Sequence, residues 1–218
     1  MKDKVYVWDP FIRIFHWSLV LLFVISYLTG DENETVHVYS GYAVLALLVT
    51  RILWGFVGTK RARFGDFVRP PAEAYDYLKG LFTGTTHKYE GHNPAGGWMT
   101  LMLIASLLLT GFSGLKLYGV EGHGPLAMVP EPTAISDDTG GKRVISREKA
   151  HDEHEDKNER NHGAYEDEEA EEFWEEIHEF FVDCSLFLII LHIAGVLLSS
   201  LKQRENLVGS MVTGYKNK

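Results

Sequence analysis

Four mainly apolar, nearly uncharged stretches, each about as long as the ~20 residues needed to cross a bilayer core, leave this chain few possible folds. They cover residues 11–30, 36–57, 94–115 and 180–201. The first holds Arg13 near its start, the second Arg51 near its end, the third no charge, and the fourth Asp183 near its beginning. Charges so placed reach the headgroup layer or meet a cofactor. Helices of soluble bundles run three or four turns and show a polar face, and these segments do neither. The expected fold class is all-α, an integral membrane four-helix bundle.

Average composition hides this, because 23% charged residues and a formal net charge of -9 would suit a soluble acidic protein. The charge is concentrated: residues 120–179 hold nineteen Asp and Glu against six Lys and Arg, and the remainder holds eleven against fifteen. Residues 1–118 are therefore read as three transmembrane helices with a basic loop, 119–172 as an acidic, histidine-containing insert, and 173–218 as the fourth helix and its tail. All belong to one membrane domain. Lys2 and Lys4 before an apolar run suggest a signal peptide, but no small-x-small cleavage site follows, and the run carries Arg13, His16 and Trp17. A retained helix is expected.

Basic residues in short loops mark the cytoplasmic side. Lys60, Arg61, Arg63, Arg69, Lys79 and Lys88 lie between spans two and three, Lys2 and Lys4 at the N-terminus, and Lys202, Arg204, Lys216 and Lys218 in the C-terminal tail. An even number of spans puts all three segments on one side, so both termini are expected in the cytoplasm and the acidic insert outside. Residues 72–82 suit a short amphipathic helix, either at the membrane interface or as an ordinary loop helix. Asn93-Pro94 reads as a cap and first-turn proline for span three. Trp8, Trp17, Trp54 and Trp98 are read as interfacial-belt residues.

Ten histidines are present, and four lie in or at the ends of spans: His16, His37, His178 and His192. His178 and His192 are fourteen residues apart, which on a helix separates them by roughly 21 Å along the axis and about 40° around it. One helix thus presents two imidazoles on one face at two depths. Chain direction puts His16 in the cytoplasmic half, His37 at the outer edge, His178 outside and His192 inside. The four sort into an inner pair, His16 with His192, and an outer pair, His37 with His178, each joining two helices. This arrangement suits bis-histidine ligation of two haems between helices 1, 2 and 4. Cys184 is the single cysteine and no Cys-x-x-Cys-His occurs, so the haems would be held without covalent attachment. Gly41 and Gly195, each on the face of a histidine, would let a flat macrocycle approach. Arg13 and Arg51 lie at the depth of the inner pair, where they would either contact haem propionates or serve as positive-inside anchors.

The stretches WDPFIRIFHW, HVYSGYAVLALLVTRILWGFVG, GHNPAGGWM, IHEFFVDCSLFLIILHIAG and ENLVGSMVTGYK resemble the prokaryotic cytochrome b561 family, which includes the b-type cytochrome subunits of nickel–iron hydrogenases. Together they touch all four spans. The resemblance implies two b haems, a bacterial inner membrane location, a quinone as membrane-side redox substrate and a second partner at the outer face, such as a periplasmic c-type cytochrome. The sequence itself shows no quinone motif. The expected function is electron transfer between the quinone pool and a periplasmic redox partner.

The insert is longer than a simple connector. Its acidity suits a solvated loop, a docking surface for a basic redox protein, or a metal site using His151, His154 and His162. His123 is read as a turn residue, and His87 and His92 as structural. Two rival functions stand beside electron transfer. A superoxide:quinone oxidoreductase would need a cationic pocket at the outer haem, against the acidity there. A haem-free membrane protein binding divalent metal would use the same histidines as metal ligands.

Overall fold

A computed structural model describes residues 4–85, 89, 91–127 and 152–217, with side chains described except at 152–167 and 217. The elements run β1 (Lys4–Tyr6), α1 (Pro10–Thr29), α2 (Glu34–Val57), a 3-10 turn (Lys60–Ala62), α3 (Phe64–Phe67), α4 (Pro71–Thr83), α5 (Pro94–Val120), α6 (Asp152–Gln203), α7 (Leu207–Thr213) and β2 (Tyr215–Asn217). Among the described residues four helices are long and apolar enough to cross a membrane, as the sequence implies. Their apolar windows are mostly uncovered by protein: 28% buried in α2, the most covered, and 6% in α6. Large apolar side chains such as Leu21, Leu53, Phe112 and Ile190 point outward. In water such surfaces would be driven together, and in lipid they meet acyl chains.

The chain forms two compact units, Met1–Gly111 with Phe180–Lys218, and Phe112–Glu179. In the first unit, α1 and α2 pack as a hairpin around Phe15, Val44, Leu48 and Leu107. Small hydroxyl residues join α5 to α6: Ser106 Oγ lies 2.7 Å from Ser185 Oγ, and Thr110 Oγ1 lies 3.1 Å from Ser185 Oγ and donates to the Phe181 carbonyl at 3.1 Å. Close approach of small residues with hydrogen bonds between helices is how spans associate when lipid offers no hydrophobic incentive.

One end of this unit is a folded cap. β1 and β2 pair antiparallel, with Val5 opposite Lys216, so the two ends of the described chain lie together, as an even number of spans requires. Beneath them Val7, Trp8, Ile12 and Ala62 form a small core, so Trp8, at 6% exposure, is a core residue and not a member of an interfacial belt. Gly214 adopts φ +87° with the Trp8 carbonyl 2.9 Å from where a Cβ would sit, a place only glycine fits. α4 confirms the helix expected over 72–82. Its Tyr77 hydroxyl accepts from Gln203 Nε2 at 2.9 Å and lies 3.4 Å from Ser199 Oγ on α6, and burial pushes that hydroxyl's pKa up.

Asp9 ties the cap to the membrane helices. It caps α1 by accepting from the Ile12 N–H at 2.9 Å, and its other oxygen accepts from Trp54 Nε1 at 3.4 Å and from the Thr59 hydroxyl. Asp9→Ala strands three donors at a buried site, and we expect a loss of roughly 2–4 kcal/mol. Thermal denaturation in detergent checks this, with Asp9→Asn expected to lose less because its amide oxygen still caps.

In the second unit the end of α5 turns back at Glu121 to Leu126, where His123 stacks on Tyr118 (5.2 Å, 23°), consistent with a turn residue. Trp174 packs against Phe112, with Lys116 Nζ 5.9 Å from its ring. A solvated loop running into span four is one of the three readings of the insert. Instead α6 begins at Asp152, so residues 152–172 of the insert are helical while residues 121–127 turn, and the boundary at 172/173 falls inside one helix. Its run of acids, rich in good helix formers and lacking Gly or Pro after Gly163, carries the helix upstream of the apolar segment.

Candidate functional site

His16 stands on α1 close to the cap, and Asp9 and Pro10 fix where that helix begins. His192 stands on α6, and the two imidazoles lie within electrostatic range of each other. Both are half-buried. His16 Nδ1 is buried and has no hydrogen-bond partner, and the ring meets Trp17 edge-on at 5.1 Å. Arg51 is 2% exposed, with its guanidinium 5.2 Å from the Phe64 ring and 5.9 Å from the Phe67 ring. Arg13 Nη1 donates to the Thr213 carbonyl at 3.2 Å. Among the described residues, neither Arg51 Nη1 nor Arg13 Nε, both buried, has a hydrogen-bond partner. A cation used only as an interfacial anchor would extend to the headgroups, whereas Arg51 turns inward. A buried donor left unsatisfied costs about 1–3 kcal/mol, more when charged, so this end of the first unit is built to receive an acceptor.

At the other end of the α1–α2 hairpin, Asn33 caps α2, accepting from the Val36 N–H at 3.1 Å, and His37 follows in the first turns. Its Nδ1–H donates to the Ser26 carbonyl on α1 at 2.9 Å, with Ser26 Oγ at 3.4 Å. That bond fixes the tautomer and leaves the lone pair on Nε2. In the second unit His178 Nδ1 lies 3.1 Å from Ser113 Oγ, and Ser113 is 1% exposed. Metal-ligating histidines characteristically engage the other ring nitrogen in this way.

Ser26, Ser113 and Gly114 were not anticipated from sequence. A Cβ at Gly114 would lie 3.0 Å from His178 Cε1, so the missing side chain makes room for the imidazole. Gly114→Val is expected to displace His178, and if His178 ligates haem the haem content per chain falls, as read by a pyridine haemochrome assay. Around Gly41 and Gly195 the situation differs: a Cβ at either would meet nothing within 4 Å, so protein packing does not demand these glycines, and space is open for a flat group.

The donor set is two half-buried imidazoles in one unit, two further imidazoles whose Nδ1 atoms are engaged, and buried guanidinium atoms awaiting an acceptor. It fits a group with an iron for imidazole and carboxylates for arginine, which is a b haem. The described residues hold no cluster of three His, Cys, Asp or Glu able to bind a metal ion. Of the suggested metal ligands, His151 and the side chains of His154 and His162 lie outside the described residues, as does His87.

The family model "Prokaryotic cytochrome b561" matches residues 7–214. The chain belongs to the prokaryotic cytochrome b561 family. Among curated proteins, this b561 chain is 28% identical over 156 residues to a protein of Bradyrhizobium diazoefficiens, the match covering 56% of this chain and 61% of that one. A protein of Rhizobium leguminosarum bv. viciae is 29% identical over 153 residues, covering 56% and 63%, and one of Azotobacter vinelandii is 27% identical, covering 56% and 62%. Each is named "Probable Ni/Fe-hydrogenase B-type cytochrome subunit". The b561 chain thus matches about three-fifths of the length of these relatives. No solved structure matches it. Family and fold agree on a multi-pass membrane protein of the b-type cytochrome class.

Proposed function

We propose that this b561-family protein carries electrons across a bacterial inner membrane between a quinone and a redox protein on the outer side, using two b haems. His16 and His192 would hold the inner haem, and His37 and His178 the outer one. The observation that carries the reading is the set of buried, unpartnered polar atoms of His16, Arg13 and Arg51 at one end of the first unit. The haems, when bound, supply one-electron redox chemistry. The chain's own residues do the rest. Four imidazoles set ligation, Ser26 and Ser113 orient two of them, Arg13 and Arg51 neutralise carboxylates, and the apolar spans keep water away.

Basic loops put the cap and both termini in the cytoplasm and the acidic end of α6 outside. There Glu168, Glu169, Glu171, Glu172, Glu175, Glu176 and Glu179 are exposed. Such a surface steers a partner with a basic docking face, such as a c-type cytochrome, and repels superoxide. The relatives' name adds a nickel–iron hydrogenase to the candidate redox partners.

The reading is tested by adding duroquinol to proteoliposomes of the purified holoprotein and recording the haem spectrum. Reduction of both haems, followed by reoxidation with an impermeant acceptor on the acidic side, is expected. Haems that reduce with dithionite and stay oxidised with quinol would remove the quinone from the account.

A further inference from the structure

His92 precedes α5 in the segment Gly-His-Asn-Pro, where Asn93 caps the helix through the Gly96 N–H at 2.7 Å. Its placement exceeds what a cap requires. The imidazole sits between Trp8 (4.7 Å, 70°) and Phe67 (4.6 Å, 42°). Lys216 of β2 pins the segment by donating to the carbonyls of Tyr89 at 3.2 Å and Gly91 at 3.4 Å. Within this packing His92 Nδ1 is buried and has no hydrogen-bond partner among the described residues. An aromatic ring alone would fill that space without an unsatisfied nitrogen, so the nitrogen needs a reason.

Arg51 supplies one. Its guanidinium lies 5.9 Å from the same Phe67 ring that His92 contacts, and its Nη1 is also buried and unpartnered. Asp9 acts on Arg51 electrostatically, but its oxygens already accept from Ile12, Trp54 and Thr59. His92 in turn feels the charges of Arg51, Lys216 and His192, and burial above all, then these charges, hold its pKa down to about 3. It is therefore a neutral imidazole with one N–H to give. A carboxylate answers both orphans, taking a hydrogen bond from each and balancing the arginine. A neutral carbonyl would satisfy His92 but give the Arg51 Nη1 no charged acceptor, leaving Asp9 at a distance as the anion acting on it.

We infer that His92 is a positioning residue of the inner haem, its Nδ1–H donating to a haem carboxylate that Arg51 also holds. The inference rests on the proposed inner haem of His16 and His192, and adds to it a ligand-binding role for the segment before α5.

Two substitutions separate donor from packing. His92→Phe keeps a ring between Trp8 and Phe67 and removes the donor; His92→Asn restores an N–H near the Nδ1 position and removes the ring. Both are read in the holoprotein by redox titration and by the propionate bending bands in resonance Raman spectra. His92→Phe is expected to keep two haems, shift the reduction equilibrium of one haem threefold or more towards the oxidised form, and move its propionate band. His92→Asn should stay close to wild type in both readouts. A His92→Phe variant matching wild type overturns the inference, as does a His92→Asn variant altered as much as His92→Phe, which would mark a packing role. Changed quinol oxidation with potential and Raman bands unmoved also overturns it, and would assign the nitrogen to the quinone. Wild type with two haems and an indifferent His92 removes this inference alone, whereas wild type without haem removes the functional reading as well.

Discussion

His192→Ala is expected to remove one b haem per chain, taking the inner haem's occupancy below about a tenth while the outer haem stays. An imidazole–iron bond has no substitute at this depth of α6, where the neighbours of His192 are Leu191 and Ile193, both exposed and apolar. The fold should persist. The packed core of the first unit is Phe15, Val44, Leu48 and Leu107, and the seam to α6 runs through Ser185; neither uses His192. His192→Met, which retains a side chain able to ligate haem iron, should keep part of the inner haem with a raised potential. Haem content by pyridine haemochrome, with a thermal melt to show folding, gives the answer. A folded His192→Ala protein with two haems would remove His192 from the ligand set.

Arg51→Met carries the second large effect, and its sign depends on the cofactor. A buried cation without an anion is a burden, and replacing it with an apolar side chain of similar length is typically neutral or stabilising by about 1–4 kcal/mol. A buried cation paired with a carboxylate is the opposite case, since removing it strands the partner at a cost of about 3–5 kcal/mol. Because Arg51 is 2% exposed with Nη1 unpartnered among the described residues and only Asp9 acting on it as an anion, the substitution should leave haem-depleted protein about as stable or more so, and weaken inner-haem retention in the holoprotein by a hundredfold or more. Melts of both forms, with haem loss to excess apomyoglobin, separate the two. Equal effects in both forms would mean that Arg51 meets no carboxylate.

The membrane architecture was legible because hydropathy over twenty residues is a strong signal that needs no tertiary context: all four spans appear within a few residues of their expected bounds, except where α5 and α6 run longer. α6 shows why those ends were hidden. A run of Glu reads as solvated chain by charge, yet the same residues favour helix, and a helix already nucleated by the apolar segment extends through them. The four histidines stand out in the sequence by their places in the spans, and their sorting into pairs by depth is the part of the proposal that substitution has to test. What lay beyond reach is everything set by long-range contact. Ser26 and Ser113 are small hydroxyl residues with no pattern of their own, and they acquire meaning only beside His37 and His178. Trp8 reads from the sequence as an interfacial-belt residue and His92 simply as structural, because both lie outside the spans. The cap that buries them is assembled from sequence-distant pieces: β1, the loop after α2, and the tail.

The pairing of the four histidines is the centre of the account, and double substitution tests it directly. Haem is counted per folded chain in His16→Ala/His192→Ala, His37→Ala/His178→Ala and the crossed variants His16→Ala/His178→Ala and His37→Ala/His192→Ala. Ligation in pairs predicts one b haem in each of the first two and none in the crossed two. One haem in a crossed variant, or none in an uncrossed one that still folds, would contradict it.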